Sequence, residues 1–256
     1  MSSQPHALKN WFDQGGQAYA RFRPHYPAEL AAYLAEVAPD TTLAVDVGCG
    51  NGQLTGQLAR HFSTVIGLDP SADQVAHATP AANIDYRCAP AEQLPLADAS
   101  ASLVTAAQAA HWFDLPAFYA EVRRIGAPGA VLALISYGVL RLDEQLDARF
   151  QDFYWREIGP YWPAERQLVD SGYATLDFPF TPLAPPSLAI NVEWTLAEFL
   201  GYVATWSAVR GAREAGREEI LQRFASDIAA LWGEPQTKRA VAWPIAMRVG
   251  RIHDAV

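Results

Sequence analysis

The stretch Val45-Asp46-Val47-Gly48-Cys49-Gly50-Asn51-Gly52 decides how this chain is read. An apolar run, Leu43 to Val47, turns abruptly into three glycines at alternating positions, and helix-compatible residues follow from Gln53 to His61. The pattern describes a buried parallel strand, a tight backbone turn and a helix start. Glycine tolerates positive φ and lets a ligand come close to the backbone. The helix N-terminus behind the turn supplies unpaired N–H groups and a partial positive charge. A small molecule with a polar or anionic end is therefore expected at this turn.

Two common nucleotide signatures do not fit. The dinucleotide fingerprint G-x-G-x-x-G needs a glycine where Gln53 stands, and the phosphate loop of nucleotide hydrolases needs a Gly-Lys-Ser/Thr ending that is absent. No tyrosine has a lysine four residues on, which removes the proton relay of many nicotinamide oxidoreductases. A second apolar run, Val65-Ile66-Gly67-Leu68, ends in Asp69-Pro70-Ser71. Asp69 lies about 20 residues beyond the first glycine, the spacing at which a carboxylate on the next strand receives two ribose hydroxyls. An acid before Pro70 and Ser71 also suits a turn or helix cap.

With these motifs in hand, the chain resembles class I S-adenosylmethionine (SAM)-dependent methyltransferases of the small-molecule type. Asp46 to Gly52 matches the first family motif and Gly67 to Ser71 the second. Ala89-Pro90-Ala91-Glu92-Gln93-Leu94-Pro95 resembles the adenine-side loop after the third strand, and Gln108-Ala109-Ala110-His111-Trp112-Phe113-Asp114 the end of the fourth. Phe118, Glu121, Arg124 and Ala127-Pro128-Gly129-Ala130 match the next helix and the entry to the fifth strand. Tyr19 to Pro27, Glu193-Trp194-Thr195, Tyr202 and Thr205-Trp206-Ser207 are similar to the trans-aconitate methyltransferase-like subgroup. Two positions depart from the pattern: Ser102 stands where an acid is usual, and Gly129-Ala130 where Gly-Gly is common.

The resemblance implies a cofactor, SAM, with S-adenosylhomocysteine as product, and roles for particular residues. Gly48, Gly50 and Gly52 would let the backbone approach the methionine and ribose parts. Asp46 would lie beneath the loop and help receive the ammonium end, and Asp69, followed by Pro70, would accept the ribose hydroxyls. Ala91 and Glu92 would flank adenine, and Gln108 would border the methionine. Arg23, with Tyr19, would reach the methionine carboxylate. His111 is the candidate general base, because an imidazole titrates near neutrality; its other reading is a pocket-shaping residue beside Trp112 and Phe113. No metal is expected.

Composition narrows the partners. The chain has 256 residues, half of them apolar, enough for a sizeable core. A net charge of −9 disfavours nucleic acid, which needs a cationic surface. Two isolated cysteines, Cys49 and Cys88, fit a reducing compartment, and no secretory signal or membrane-length apolar run is read, so a cytoplasmic location away from membranes is expected. The expected partner is a small-molecule methyl acceptor, with a carboxylic acid among the candidates. A catalytically inactive SAM-binding regulatory or partner protein is the alternative.

Strands are expected near 43–47, 64–68, 83–87, 102–107 and 130–136, with helices near 53–61, 71–78 and 115–125 between them. The alternation implies an α/β fold: a Rossmann-like, seven-stranded, mostly parallel sheet with helices on both faces and a helical cap. Residues 1–40 read as a helical segment over the cofactor site, 41–137 as the SAM-binding core, 138–239 as a mostly helical cap and substrate region, and 240–256 as a final strand at the sheet edge. Helices are expected at 143–158, 195–208 and 215–232, with 173–192 irregular or extended. Six of the eight tryptophans lie after residue 150 and suit either an aromatic cap over the acceptor or a helical core.

Overall fold

The structure is a computed structural model that describes residues 24–253. Tyr19 and Arg23 lie outside the described residues. The chain divides into a sheet unit (25–140, 165–190 and from 243 onward) and a helical unit (141–164 and 191–242).

In the sheet unit, β1 (Leu43–Val47), β2 (Thr64–Asp69), β3 (Ile84–Cys88), β4 (Ala101–Ala107) and β5 (Gly126–Tyr137) are parallel. β8 (Arg239–Arg251) runs antiparallel to β5, and β6 (Thr181–Leu183) antiparallel to β8. The expected seven strands lie on one path, β3-β2-β1-β4-β5-β8-β6, and an eighth, β7 (Leu188–Trp194), also pairs β8. β8 is therefore not the sheet edge that the sequence suggested, because β6 covers it. The central strands are buried along almost their whole length, and they read as continuous apolar runs because a parallel sheet is covered on both faces. Edge strand β3 alternates instead.

Helices α1 (Ala28–Val37), α2 (Gln53–Leu58), α3 (Ala72–Ala76) and α4 (Leu115–Ile125) belong to this unit. The last occupies the expected span. Asp114 caps it by accepting from the Ala117 amide, Pro116 suits its first turn, and Phe118, Tyr119, Val122 and Ile125 form its buried stripe. Residues 165–190, assigned from the sequence to the cap, pack here instead: Val169 and Tyr173 share an apolar cluster with Val104 and Leu132.

The helical unit contains α5 (Glu144–Asp152), α7 (Leu196–Ala204), α8 (Ser207–Glu214) and α9 (Glu218–Trp232); a short α6 (Arg166–Asp170) belongs to the sheet unit. Two expected helices are interrupted. The 143–158 helix loosens after Asp152 into a wider turn, where Ile158 N–H reaches back five residues to the Phe153 carbonyl at 2.8 Å. The 195–208 helix stops at Thr205, whose hydroxyl donates to the Tyr202 carbonyl at 2.6 Å, and Trp206 is extended before α8 begins. Thr195 and Glu198 form a reciprocal capping box at the start of α7. Aromatic rings fill this unit's core. Phe153 stacks on Phe224 with centroids 3.7 Å apart, and Phe199 lies over Trp232 at 5.6 Å. Among the described residues no helix is long and apolar enough to cross a membrane.

Candidate functional site

The carboxyl ends of β1, β2 and β4 meet at the glycine turn, the position where open α/β sheets place ligands. Gly48, Gly50 and Gly52 all have positive φ, at 69°, 54° and 86°. Gly48 and Gly52 have a second constraint, space: a Cβ on Gly48 would overlap Ala109, and one on Gly52 would overlap the Tyr86 hydroxyl. Tyr86 also lies against Gly67 and donates to the Thr79 carbonyl at 3.1 Å, so one ring sets the spacing between the turn and β2.

Asp69 ties the turn to β2. Its Oδ2 accepts the Gly50 amide at 2.8 Å and its Oδ1 the Ser71 amide at 2.9 Å. Asp69 is thus a turn acid, and its carboxylate keeps further lone pairs on both oxygens. Pro70 is exposed beside it and its carbonyl accepts from the Cys88 thiol at 3.3 Å.

Asp46 lies one layer deeper, 1% exposed. Thr55 Oγ1 at the start of α2 and Thr105 Oγ1 in β4 donate to its two oxygens at 2.7 and 2.8 Å. Burial pushes its pKa up to about 6, against the downward pull of the two threonines. Asp46 is thus a junction of β1, α2 and β4, and its charge reaches the turn from below. The same burial, with Asp46 and Asp69 nearby, holds the Cys49 thiol well above its ordinary value and leaves it protonated.

Ala91 is buried, and Glu92 Oε1 accepts the Asp114 amide at 2.9 Å, joining the loop after β3 to the start of α4. Behind it, Glu121 accepts the Leu94 amide at 2.7 Å, and Arg124 donates to the Leu94 and Leu96 carbonyls. The departure at Ser102 also has a structural counterpart, since its hydroxyl donates to Asp40 at 2.6 Å.

Gln108 follows β4 with φ 55°, a strained value for a residue with a side chain. Its Nε2 donates to the Tyr137 carbonyl at 2.6 Å, linking β4 to β5. Tyr26, from the N-terminal motif, packs its ring 5.8 Å from that of Tyr137. Beyond Gln108, a 3-10 turn over Ala110–Trp112 carries His111. Its Nδ1 is 3.0 Å from the Tyr173 hydroxyl, and its ring is tilted against Trp112 at 4.8 Å. Burial, helped by the Arg166 cation and opposed by Glu165, lowers its pKa to about 4. The ring is neutral at pH 7 and does not titrate near neutrality as an ordinary histidine would.

The structure thus brings together Asp46, the three glycines and Asp69 at one turn, with Ala91, Glu92, Gln108 and His111 on the loops that follow β3 and β4. Sequence reasoning missed Thr55, Thr105, Tyr86 and Tyr173. Thr105 left one signal, a hydroxyl in the otherwise apolar run Leu103 to Ala107. Arg248 donates to the Tyr173, Ala174 and Leu176 carbonyls, and Arg141 pairs with Asp147 at 3.3 Å.

A family model described as a methyltransferase domain matches residues 45–134, the span from β1 to β5 that carries these features. A Dictyostelium discoideum protein named as a methyltransferase is 33% identical over 221 residues, 85% of this chain and 84% of that protein. A solved structure from Anaeromyxobacter dehalogenans, named as a type II methyltransferase, is 45% identical, covers 90% of this chain and 98% of its own, and superposes with a TM-score of 0.85. A malonyl-[acyl-carrier protein] O-methyltransferase of Dechloromonas aromatica is 36% identical over 154 residues, 58% of this chain and 57% of that protein.

Proposed function

We propose that this chain, which belongs to the class I SAM-dependent methyltransferases, transfers a methyl group to an oxygen of a small carboxylic acid. SAM is its methyl donor. The observation that carries the donor site is the Asp69 carboxylate bonded to the Gly50 amide inside a turn of three left-handed glycines. That cradle suits a ligand with a ribose diol and a cationic amino-acid end: Asp69 keeps lone pairs for hydroxyls, and Asp46 puts negative charge under the loop.

When bound, SAM supplies a methyl group already activated by its sulfonium; an acceptor oxygen forms the new C–O bond while the S–CH3 bond breaks, leaving neutral S-adenosylhomocysteine and a methyl ester. The residues of this chain then have three tasks. The turn and Asp69 hold the donor. The loops after β3 and β4, pinned through Glu92, Glu121 and Arg124, line its flanks. Gln108, His111 and Trp112 face the acceptor from the end of β4. Proximity and orientation can lower such a barrier by about 7–11 kcal/mol without any proton transfer.

A carboxylate acceptor is favoured by the state of His111. A ring with a pKa near 4 is a weak base for a hydroxyl or an ammonium group, and a carboxylate is already ionised. A relative named as a malonyl-[acyl-carrier protein] O-methyltransferase, 36% identical over 154 residues, supports the same choice. The test is incubation with SAM and a panel of carboxylic acids, alcohols and amines, with mass spectrometry of the products and of S-adenosylhomocysteine. Methyl esters from the acids support the reading; turnover of alcohols or amines alone removes it.

A further inference from the structure

We infer that Tyr173 is a positioning residue that fixes the neutral His111 ring with its proton on Nε2, so that the ring presents an N–H donor to the acceptor. The inference deepens the acceptor assignment above and rests on it only for the identity of what the donor meets.

Tyr173 is fully buried and sits at φ 61°, a conformation that a bulky side chain keeps only where its surroundings hold it. They do so from both sides. Its amide donates to the Leu168 carbonyl at 2.8 Å, and Arg248 donates to its carbonyl at 3.0 Å. The strained backbone aims the phenol at the turn after β4, which itself starts from strained Gln108. Two of the three side-chain-bearing residues with positive φ among the described residues thus converge on one turn, and strain of this kind concentrates where function needs a fixed geometry.

The hydroxyl has one proton and two lone pairs. Among the described residues the hydroxyl's one hydrogen-bond partner is His111 Nδ1, and a buried O–H left without an acceptor is costly. The proton therefore goes to His111 Nδ1, 3.0 Å away. Burial holds the phenol above its ordinary pKa, so that proton stays in place. A neutral imidazole that accepts at Nδ1 carries its own proton on Nε2. The charged or titratable groups facing the ring are Arg166 and Glu165, at the start of α6, and Tyr173; Arg166 disfavours imidazolium and Glu165 favours it. An Nε2–H group cannot remove a proton from a hydroxyl. It can hold one oxygen of a carboxylate while the other oxygen takes the methyl group.

The deciding experiment is a long-range proton–nitrogen NMR correlation on the full chain labelled with 15N-histidine, with His111 assigned by its loss in His111→Gln. The expected result near pH 7 is a neutral ring protonated on Nε2. In Tyr173→Phe the preference for that tautomer should weaken. A wild-type ring protonated on Nδ1 overturns the inference, as does a folded Tyr173→Phe with an unchanged tautomer; if that variant does not fold, the wild-type spectrum decides alone. The measurement needs neither SAM nor acceptor. A panel of carboxylic acids that yields no ester would therefore defeat the acceptor assignment and leave the tautomer standing. Where esters do form, Tyr173→Phe should lower kcat/KM about tenfold.

Discussion

At Gly52 in the sheet unit one added methyl group would collide with the Tyr86 hydroxyl; at Phe224 in the helical unit the neighbour is another large flat ring, Phe153, at 3.7 Å. The first place is defined by what cannot be there, the second by how much apolar surface is present. Gly48 and Gly52 tolerate one residue type because φ is positive and the space is already filled. The aromatic core needs volume and flat contact, which several side chains supply. A substitution's damage should therefore follow backbone constraint in the sheet unit and lost volume in the helical unit.

Phe224→Ala should have the largest effect, a stability loss of about 3–5 kcal/mol in denaturant unfolding, while Phe224→Leu should cost much less. If the two cost the same, the volume argument fails. Asp69→Ala should come next. Losing a charged hydrogen-bond acceptor is worth about 1.5–3 kcal/mol, which corresponds to roughly ten- to a hundredfold weaker SAM binding in calorimetry; unchanged affinity would break the donor-site assignment. Gly52→Ala, although it adds a single carbon, should lower stability by about 1–3 kcal/mol, and Tyr86→Ala in the same chain should recover the part due to collision but not the part due to φ.

The smallest effect should come from pH. The Asp46 pKa lies near 6 in the protein without ligand, and a cationic ligand favours the carboxylate. SAM affinity should therefore decline as pH falls through 6, by about tenfold at most, and binding near pH 6 should release protons. Calorimetry in buffers of different ionisation enthalpy measures that release. The sign for folding is opposite: with its folded pKa raised, Asp46 contributes stability below its unfolded value of 3.8 that is lost as pH rises through about 6.

The same contrast explains what could be read from the sequence. The turn of Gly48, Gly50 and Gly52 was legible because positive φ demands glycine, and Asp69 because an acid ending an apolar strand before Pro-Ser marks a turn. Helix α4 was legible from its cap, Pro116 and its stripe. Thr55 and Thr105 were not, since their function is to meet Asp46 across 9 and 59 residues of chain, and nothing local marks that. Tyr173 was missed for the same reason: it reaches His111 from 62 residues away and adopts a backbone conformation its residue type disfavours. The break at Thr205 was hidden because apolar spacing runs through it, while the hydroxyl's bond to Tyr202 ends the helix. The wide turn after Asp152 likewise left the apolar pattern intact.

The place of β8 has a consequence for how the chain is made. β8 follows β1 to β7 along the chain, yet it belongs inside the sheet, between β5 and β6. Until it arrives, the side of β5 from Val131 to Tyr137, which will pair with it, has no partner, and β6 has no strand to join. The segments of the helical unit, 141–164 and 191–242, are all synthesised in that interval. An apolar strand edge left open in this way invites pairing with another chain. A message truncated before the codon for Trp243 would therefore yield aggregates in which β5 is the adhesive edge, and not a smaller working enzyme.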